Sequence, residues 1–192
     1  MPANMRPKLL LPMLLLAACA AQGPQAAAPV PDVAARSTAL ADRFQSDLQS
    51  QLKAAMAATG AAGAIDVCQQ VAPAIAASLS EESGAHVRRL ALRERNPAAR
   101  AEGEMQAALE ALAAAPRTAE GTPAVRTWTS NGVTHWVRAV PMQAQPCGAC
   151  HGSNIAPDVA ARLQKIYPQD RATGFAPGDL RGAIAISWPA PR

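Results

Sequence analysis

The sequence of 192 residues is long enough for one domain, and its composition excludes some classes of protein. Hydrophobic residues make up 49% of the chain but aromatic residues only 3%, and alanine provides much of the apolar content. The formal net charge is +4, yet no run of Lys and Arg is interleaved with aromatic residues. The sequence therefore gives no indication of nucleic-acid binding.

Residues 1–18 have the features of a bacterial lipoprotein signal peptide. Arg6 and Lys8 precede an apolar segment, 9–18, that is too short to span a bilayer as a helix. The segment ends in Leu-Ala-Ala before Cys19, which resembles a lipobox and implies cleavage and lipid attachment at Cys19. An ordinary signal peptide with a cysteine at its cleavage site is the alternative.

Residues 19–32 are rich in Ala, Pro and Gln and show no periodicity, which indicates a flexible tether. The predicted location is the bacterial cell envelope, on the periplasmic face, with the lipid anchoring the chain to the membrane. Gln22, together with the lack of Asp at position 20, favours the outer membrane. The remaining residues, 33–192, form the predicted folded domain.

Helices are predicted in the first half of this domain. Apolar residues recur at every fourth position from Leu40 to Met56, which predicts an amphipathic helix over 33–58. A second helix is predicted over 64–79, where Pro73 would cause a kink or mark a first turn. A half-buried strand at 86–92 and a third helix at 99–114 follow.

The second half of the domain contains the clearest local pattern. Two alternating segments, 125–130 and 133–140, flank Asn131-Gly132, which predicts a β-hairpin with a type I′ turn. A short helix is expected at 159–167 and a last strand at 182–188. Antiparallel strands with helices before and between them predict an α+β fold.

Cys147, Cys150 and His151 form a CxxCH motif, which is typical of covalent c-type haem attachment. Two thiols at this spacing can add to the two vinyl groups of one haem, and the adjacent histidine can ligate its iron. A zinc site would need a second pair of ligands at similar spacing. A thioredoxin-like dithiol would not require the histidine. The sequence therefore predicts one covalent haem c.

The spacing of residues leaves the second axial ligand of the iron open. The candidates, if any side chain ligates, are Cys68, Met56, Met105, Met142, His86 and His135. Cys68 lies on the inner face of a predicted helix, where a small buried hydrophobic residue is the alternative interpretation. Arg95 and Arg171 are candidates to hold the haem propionates, and a surface or turn arginine is the alternative for each.

Five segments resemble, in the same order, a bacterial c-type haem family of formally unknown function. They cover nearly all of the predicted domain and are the segments 64–76, 93–97, 146–152, 167–175 and 178–184. One departure is Ala98-Ala99, because the family usually has a second Asn two residues after its Arg-Asn-Pro. The resemblance implies a PAS-like domain with the haem between the sheet and the helices. It also implies that His151 and Cys68 are the two axial ligands of the iron.

Three functions are compatible with such a single-haem envelope lipoprotein. The first is redox or gas sensing, in which a small gas could bind after Cys68 is released from the reduced iron. The second is electron transfer in the periplasm with both axial ligands retained. The third, an enzyme such as a peroxidase, is disfavoured because six-coordinate iron has no open position. A sensor or a carrier would need a redox or signalling protein as its partner.

Overall fold

Four antiparallel strands form the centre of the fold in the computed structural model, which describes residues 32–115 and 123–190. The strands are β1 (His86–Leu90), β2 (Val125–Ser130), β3 (Val133–Pro141) and β4 (Leu180–Trp188). Their order across the sheet is β1-β4-β3-β2, so the last strand in the sequence lies in the interior of the sheet. The predicted α+β class with an antiparallel sheet is confirmed. The predicted signal peptide and residues 19–31 of the predicted tether lie outside the described residues.

The hairpin between β2 and β3 has the predicted turn. Asn131 and Gly132 both have positive φ, 50° and 74°, as a type I′ turn requires. The strands pair in register from Ser130 opposite Val133 to Val125 opposite Arg138. Glycine adopts a positive φ readily because it has no Cβ, and asparagine is one of the few other residues that are enriched in this left-handed region.

One face of the sheet packs against the helices α1 (Val33–Gly63) and α2 (Ala72–Ser83). Among the apolar residues predicted to form a stripe along α1, from Leu40 to Met56, Phe44 is the most buried. It packs with sheet residues such as Trp136 and Ile186. Farther along the stripe, Leu52 and Met56 do not join this cluster but line a cavity. The end of α1 is kinked at Gly60, whose φ is 71°.

The opposite face of the sheet packs against α3 (Gly103–Ala114), with Leu109 fully buried between them. The predicted start of this helix at residue 99 is wrong. A 3₁₀ turn covers Pro97–Ala99, because the side chain of Asn96 caps it by accepting from the N–H of Ala98 at 3.0 Å. Two short helices, α4 (Gly148–His151) and α5 (Pro157–Ile166), precede β4. Among the described residues, no helix is both long and apolar enough to cross a membrane.

Candidate haem site

A cavity of about 870 Å³ lies beside the sheet. Its lining includes both Cys68 and the CxxCH residues Cys147, Cys150 and His151. Its walls come from the middle of α1, the segment that joins α1 to α2, α2 itself, the strand β1 and the residues around α4. Many of the lining side chains are small or apolar, as in Ala64, Ile65, Ala72 and Ala76. Cavities of this size and character are typical of cofactor sites.

The CxxCH motif forms α4, a single helical turn on the wall of this cavity. Cys147 and Cys150 are three residues apart on this turn, a spacing that places two side chains on the same side of a helix. The N–H of His151 donates to the carbonyl of Cys147 at 3.0 Å, and the carbonyl of His151 accepts from the N–H of Phe175 at 3.0 Å. The motif is therefore held to the loop that precedes β4.

The ring of His151 is oriented by one hydrogen bond. Its Nδ1 lies 2.7 Å from the carbonyl oxygen of Ala172, which can only accept, so Nδ1 carries the proton. Burial and the nearby guanidinium groups of Arg181 and Arg95 hold the pKa of His151 well below its usual value. The neutral ring therefore keeps an unprotonated Nε2, the form in which histidine ligates a metal.

Cys68 reaches the same cavity from a different part of the chain. It lies in a π-helical turn, Val67–Val71, in which the N–H of Ala72 donates to the carbonyl of Val67. The helix predicted over 64–79 therefore contains a π-helical turn. Pro73 lacks the N–H that would continue an α-helical ladder, and it stands in the first turn of α2, which is one of the two positions predicted for it. Single π-helical turns are frequent at functional sites.

Cys68, Cys147 and Cys150 all have free thiols. Burial raises the pKa of the Cys68 thiol, while the nearby Arg95, Arg181 and Arg89 oppose this effect. Among residues 32–115 and 123–190, no three His, Cys, Asp or Glu side chains form a cluster that could hold a metal ion alone.

The other candidate axial ligands do not share one position. Met56 lines the cavity, and the exposed His86 borders it on β1. His86 and His135 both pair with Ser187, so they lie on the sheet face that also contacts Met105, and the His135 ring is hydrogen-bonded to Ser187 and Ser130. Met142 is buried in a separate cluster with Ala172 and Phe175 and does not line the cavity.

Arg95 lines the cavity, but it binds protein groups. Its Nε lies 2.9 Å from the carboxylate of Asp170, and its Nη2 donates to the carbonyls of Cys150 at 2.5 Å and Ala172 at 3.3 Å. Arg171 is 60% exposed and pairs with Glu94 at 3.7 Å, and it is not a lining residue. The two arginines singled out in the sequence thus stabilise the loops around the site.

Three further arginines line the cavity, Arg88, Arg89 and Arg181, and the sequence analysis missed all of them. Arg88 is exposed and donates to the carbonyl of Ala98 at 3.4 Å. Arg89 lies on β1 opposite Ile184 of β4, and Arg181 lies near the start of β4. The alternation of β1 could have placed Arg89 on the inner face with Val87. For Arg181 the sequence offers no comparable pattern.

A family model described as Tll0287-like matches residues 24–189. The chain belongs to the Tll0287-like family. Among solved structures it is similar to the crystal structure of "the cyanobacterial heme-protein Tll0287", with 24% sequence identity and a TM-score of 0.62. The match covers 85% of this chain and 98% of that chain, and at this identity it shows a shared fold. No curated protein matches the sequence.

The Tll0287-like match includes the whole cavity wall but not every predicted site residue. Cys68, Cys147, Cys150 and His151 fall within residues 24–189, whereas Cys19 lies before them and outside the described residues. The lipidation of Cys19 therefore stays a prediction from the sequence.

Proposed function

We propose that this Tll0287-like protein binds one haem c in the cavity and acts in redox or gas sensing in the cell envelope. The observation that carries the proposal is the convergence of Cys147, Cys150, His151 and Cys68 on one cavity. Three of these residues are adjacent in the sequence, but Cys68 comes from a distant helical segment. The name of the structural relative, a heme-protein, agrees with this assignment.

The residues present fit the prosthetic group in three respects. The cavity is large and mainly apolar, as a macrocycle requires. The two thiols of α4 have the spacing that forms thioethers with two vinyl groups, and the oriented His151 offers its Nε2. The lining includes several arginines, whereas Glu81 is its only acidic residue in the part of the chain that the structure describes.

The role of each ligand follows from its chemistry. Bound haem would supply one-electron chemistry and a position for small gases. His151 would serve as the first axial ligand, with its proton fixed on Nδ1 by Ala172. Cys68 would serve as the second, and a thiolate brings a full negative charge that favours the ferric state and lowers the reduction potential.

Covalent attachment is tested on the mature protein made with a c-type maturation system. The protein should keep its colour after acid–acetone extraction and gain the mass of one haem. Cys147→Ser/Cys150→Ser should lose the colour under the same treatment. Colour that extracts completely from the wild type would contradict the proposal.

The role of Cys68 is tested by EPR and optical spectra of Cys68→Ala, with Met56→Leu as the control on the same cavity wall. Ferric wild type should be low-spin with the pattern of a thiolate–imidazole haem, and Met56→Leu should match it. Cys68→Ala should become high-spin or take another ligand, and its reduction potential should rise. A spectrum unchanged by Cys68→Ala would mean that Cys68 is only a packed side chain.

The ferrous protein separates sensing from electron transfer. Ready binding of carbon monoxide or nitric oxide by the wild type would mean that Cys68 leaves the iron on reduction, which favours a sensor. A ferrous protein that stays six-coordinate and binds neither gas would favour an electron carrier in the periplasm, the alternative function.

Anchoring to the membrane is part of the proposal and is supported by the lipobox-like residues before Cys19. Cys19→Ala should move the protein from the membrane fraction to the soluble fraction or block its processing. A wild type that is already soluble, or whose mature terminus is not a lipidated Cys19, would contradict the anchoring without affecting the haem proposal.

A further inference from the structure

Two arginines on the cavity wall have donors with no hydrogen-bond partner among the described residues. Nη1 of Arg89 and Nε of Arg181 are both shielded from solvent and unsatisfied. Burial lowers the pKa of Arg89 to about 10, and burial with repulsion from Arg89 and Arg95 lowers the pKa of Arg181 to about 9. Unpaired cationic groups in a shielded site are costly unless an anion compensates them.

The backbone brings the two guanidinium groups to one place. Beyond the pair Val140–Gly182, the register of β3 with β4 shifts so that Pro141 pairs with Leu180. Arg181 is therefore the extra residue of a β-bulge, an irregularity that redirects a side chain.

Gly182 leaves room for Arg89 beside this bulge. A Cβ on Gly182 would lie 3.0 Å from Nη1 of Arg89 and 2.4 Å from the carbonyl oxygen of Leu90. Gly182 also has a φ of 154°, which L side chains rarely adopt. The guanidinium of Arg89 thus lies over Gly182, next to the residue that carries the second cation.

Arg181 is also close to the predicted iron ligand. Its Cζ lies 5.5 Å from the centre of the Phe175 ring, and that ring packs edge-on against His151 with 6.5 Å between ring centres. This cation–π contact with Phe175 provides no hydrogen-bond acceptor for Nε.

We infer that Arg89 and Arg181 form a carboxylate-binding pair that holds the propionates of the haem. This inference rests on the proposed haem binding and adds to it the residues that receive the anionic groups. Arginine matches a carboxylate because its planar fork can donate two parallel hydrogen bonds. An apolar cavity with two unpaired cations requires a ligand that is apolar in its body and anionic at its edge.

The test uses the mature, haem-loaded protein and the variants Arg89→Gln and Arg181→Gln. Arg171→Gln is the matched control, because it removes the same charge from a solvent-exposed position outside the cavity. Resonance Raman spectra report the propionate bending bands, which respond to hydrogen bonding of the carboxylates. Both cavity variants should shift these bands and lower the reduction potential, because loss of a nearby cation favours the ferric state.

The control should keep the wild-type bands and potential. Unchanged propionate bands in both cavity variants would overturn the inference, as would bands shifted equally by Arg171→Gln. A variant that changes only the EPR signature of the axial ligands would also overturn it, since its arginine would then act on Cys68 or His151.

Lysine variants decide the outcome if the glutamine variants do not fold. Arg89→Lys and Arg181→Lys keep the charge but lose the planar fork, so they should shift the bands in the same direction by less. Wild-type bands in both lysine variants would overturn the inference in that case. A wild type without any attached haem would instead refute the proposed function, so the two failures are distinguishable.

Discussion

Arg95 is expected to be the most important polar residue for the stability of the site. Its Nε pairs with Asp170 at 2.9 Å, and the two side chains are only 5% and 10% exposed. It also donates to the carbonyls of Cys150 and Ala172, so one guanidinium joins the loop after β1 to α4 and to the loop before β4. Arg95→Met removes all these donors with a small change in volume.

The expected loss of stability in Arg95→Met follows from the carboxylate that this substitution leaves without a counterion. Asp170 would keep one hydrogen bond, from the N–H of Ala172 at 2.8 Å, but would lose its counterion in a buried position. Removal of one partner from a buried ion pair costs about 3–5 kcal/mol. This is a large part of the stability of a typical domain, about 5–15 kcal/mol. The free energy of unfolding of the haem-loaded protein is measured in urea by far-UV circular dichroism.

Arg43→Met provides the matched control, because Arg43 pairs with Glu82 at 2.5 Å while both side chains are about half exposed, 52% and 47%. Exposed ion pairs contribute little to stability because water screens them. The control should therefore unfold at nearly the wild-type urea concentration. If Arg95→Met loses no more stability than Arg43→Met, the assignment of Arg95 as a buried connector is wrong.

Three further substitutions test other parts of the fold. Ser37→Ala should cost about 1–3 kcal/mol in urea unfolding, because it leaves the buried Nε1 of Trp188 without its acceptor at 2.8 Å. Gly182→Ala should cost about 1–3 kcal/mol from the backbone conformation alone, and the clash with a β1 carbonyl should add to that loss in the same assay. A hydrogen bond from Ser130 holds the pKa of Glu104 below its usual value, so the stabilising effect of that carboxylate is lost as the pH falls through this lowered pKa. Ser130→Ala should raise the pKa of Glu104 in an NMR titration.

Local patterns in the sequence predicted local parts of the structure. The hairpin follows from Asn131 and Gly132 because a two-residue turn needs two positive φ angles and these residues supply them. The sequence predicted that the thiols of Cys147 and Cys150 and the imidazole of His151 belong to one site, because all three lie within five consecutive residues. In both cases the physical cause lies within a few residues of its effect.

Features that depend on distant contacts could not be predicted in this way. The spacing of residues alone did not bring Cys68 to the CxxCH motif, and only the resemblance to a family did. The π-helical turn and the β-bulge at Arg181 each shift a side chain by a local change of register. Each change offsets the side-chain periodicity by one residue, but only Leu180 of β4 precedes the bulge, so the sequence pattern is too short there to show the offset.

The cavity itself has a physical origin in the alanine-rich composition. The large rings of Phe44, Trp136 and Trp188 fill one cluster between α1 and the sheet. The cavity wall also includes side chains such as Ala64 and Ala72, which are too short to close the gap. An unfilled gap forfeits the dispersion contacts of its lining atoms, so a bound apolar macrocycle would stabilise the fold.

The positions of the proposed haem-binding residues in the chain indicate the order in which the site would form. Cys147, Cys150 and His151 adjoin one another, so the proposed haem attachment requires no tertiary structure. Cys68 approaches the same site only when α1 and α2 pack against the sheet, because its π-helical turn joins these helices. Folding would then bury the macrocycle and complete the coordination of the iron together. Cys68→Ala should therefore still acquire covalent haem, and the change should appear in its spectrum and stability alone.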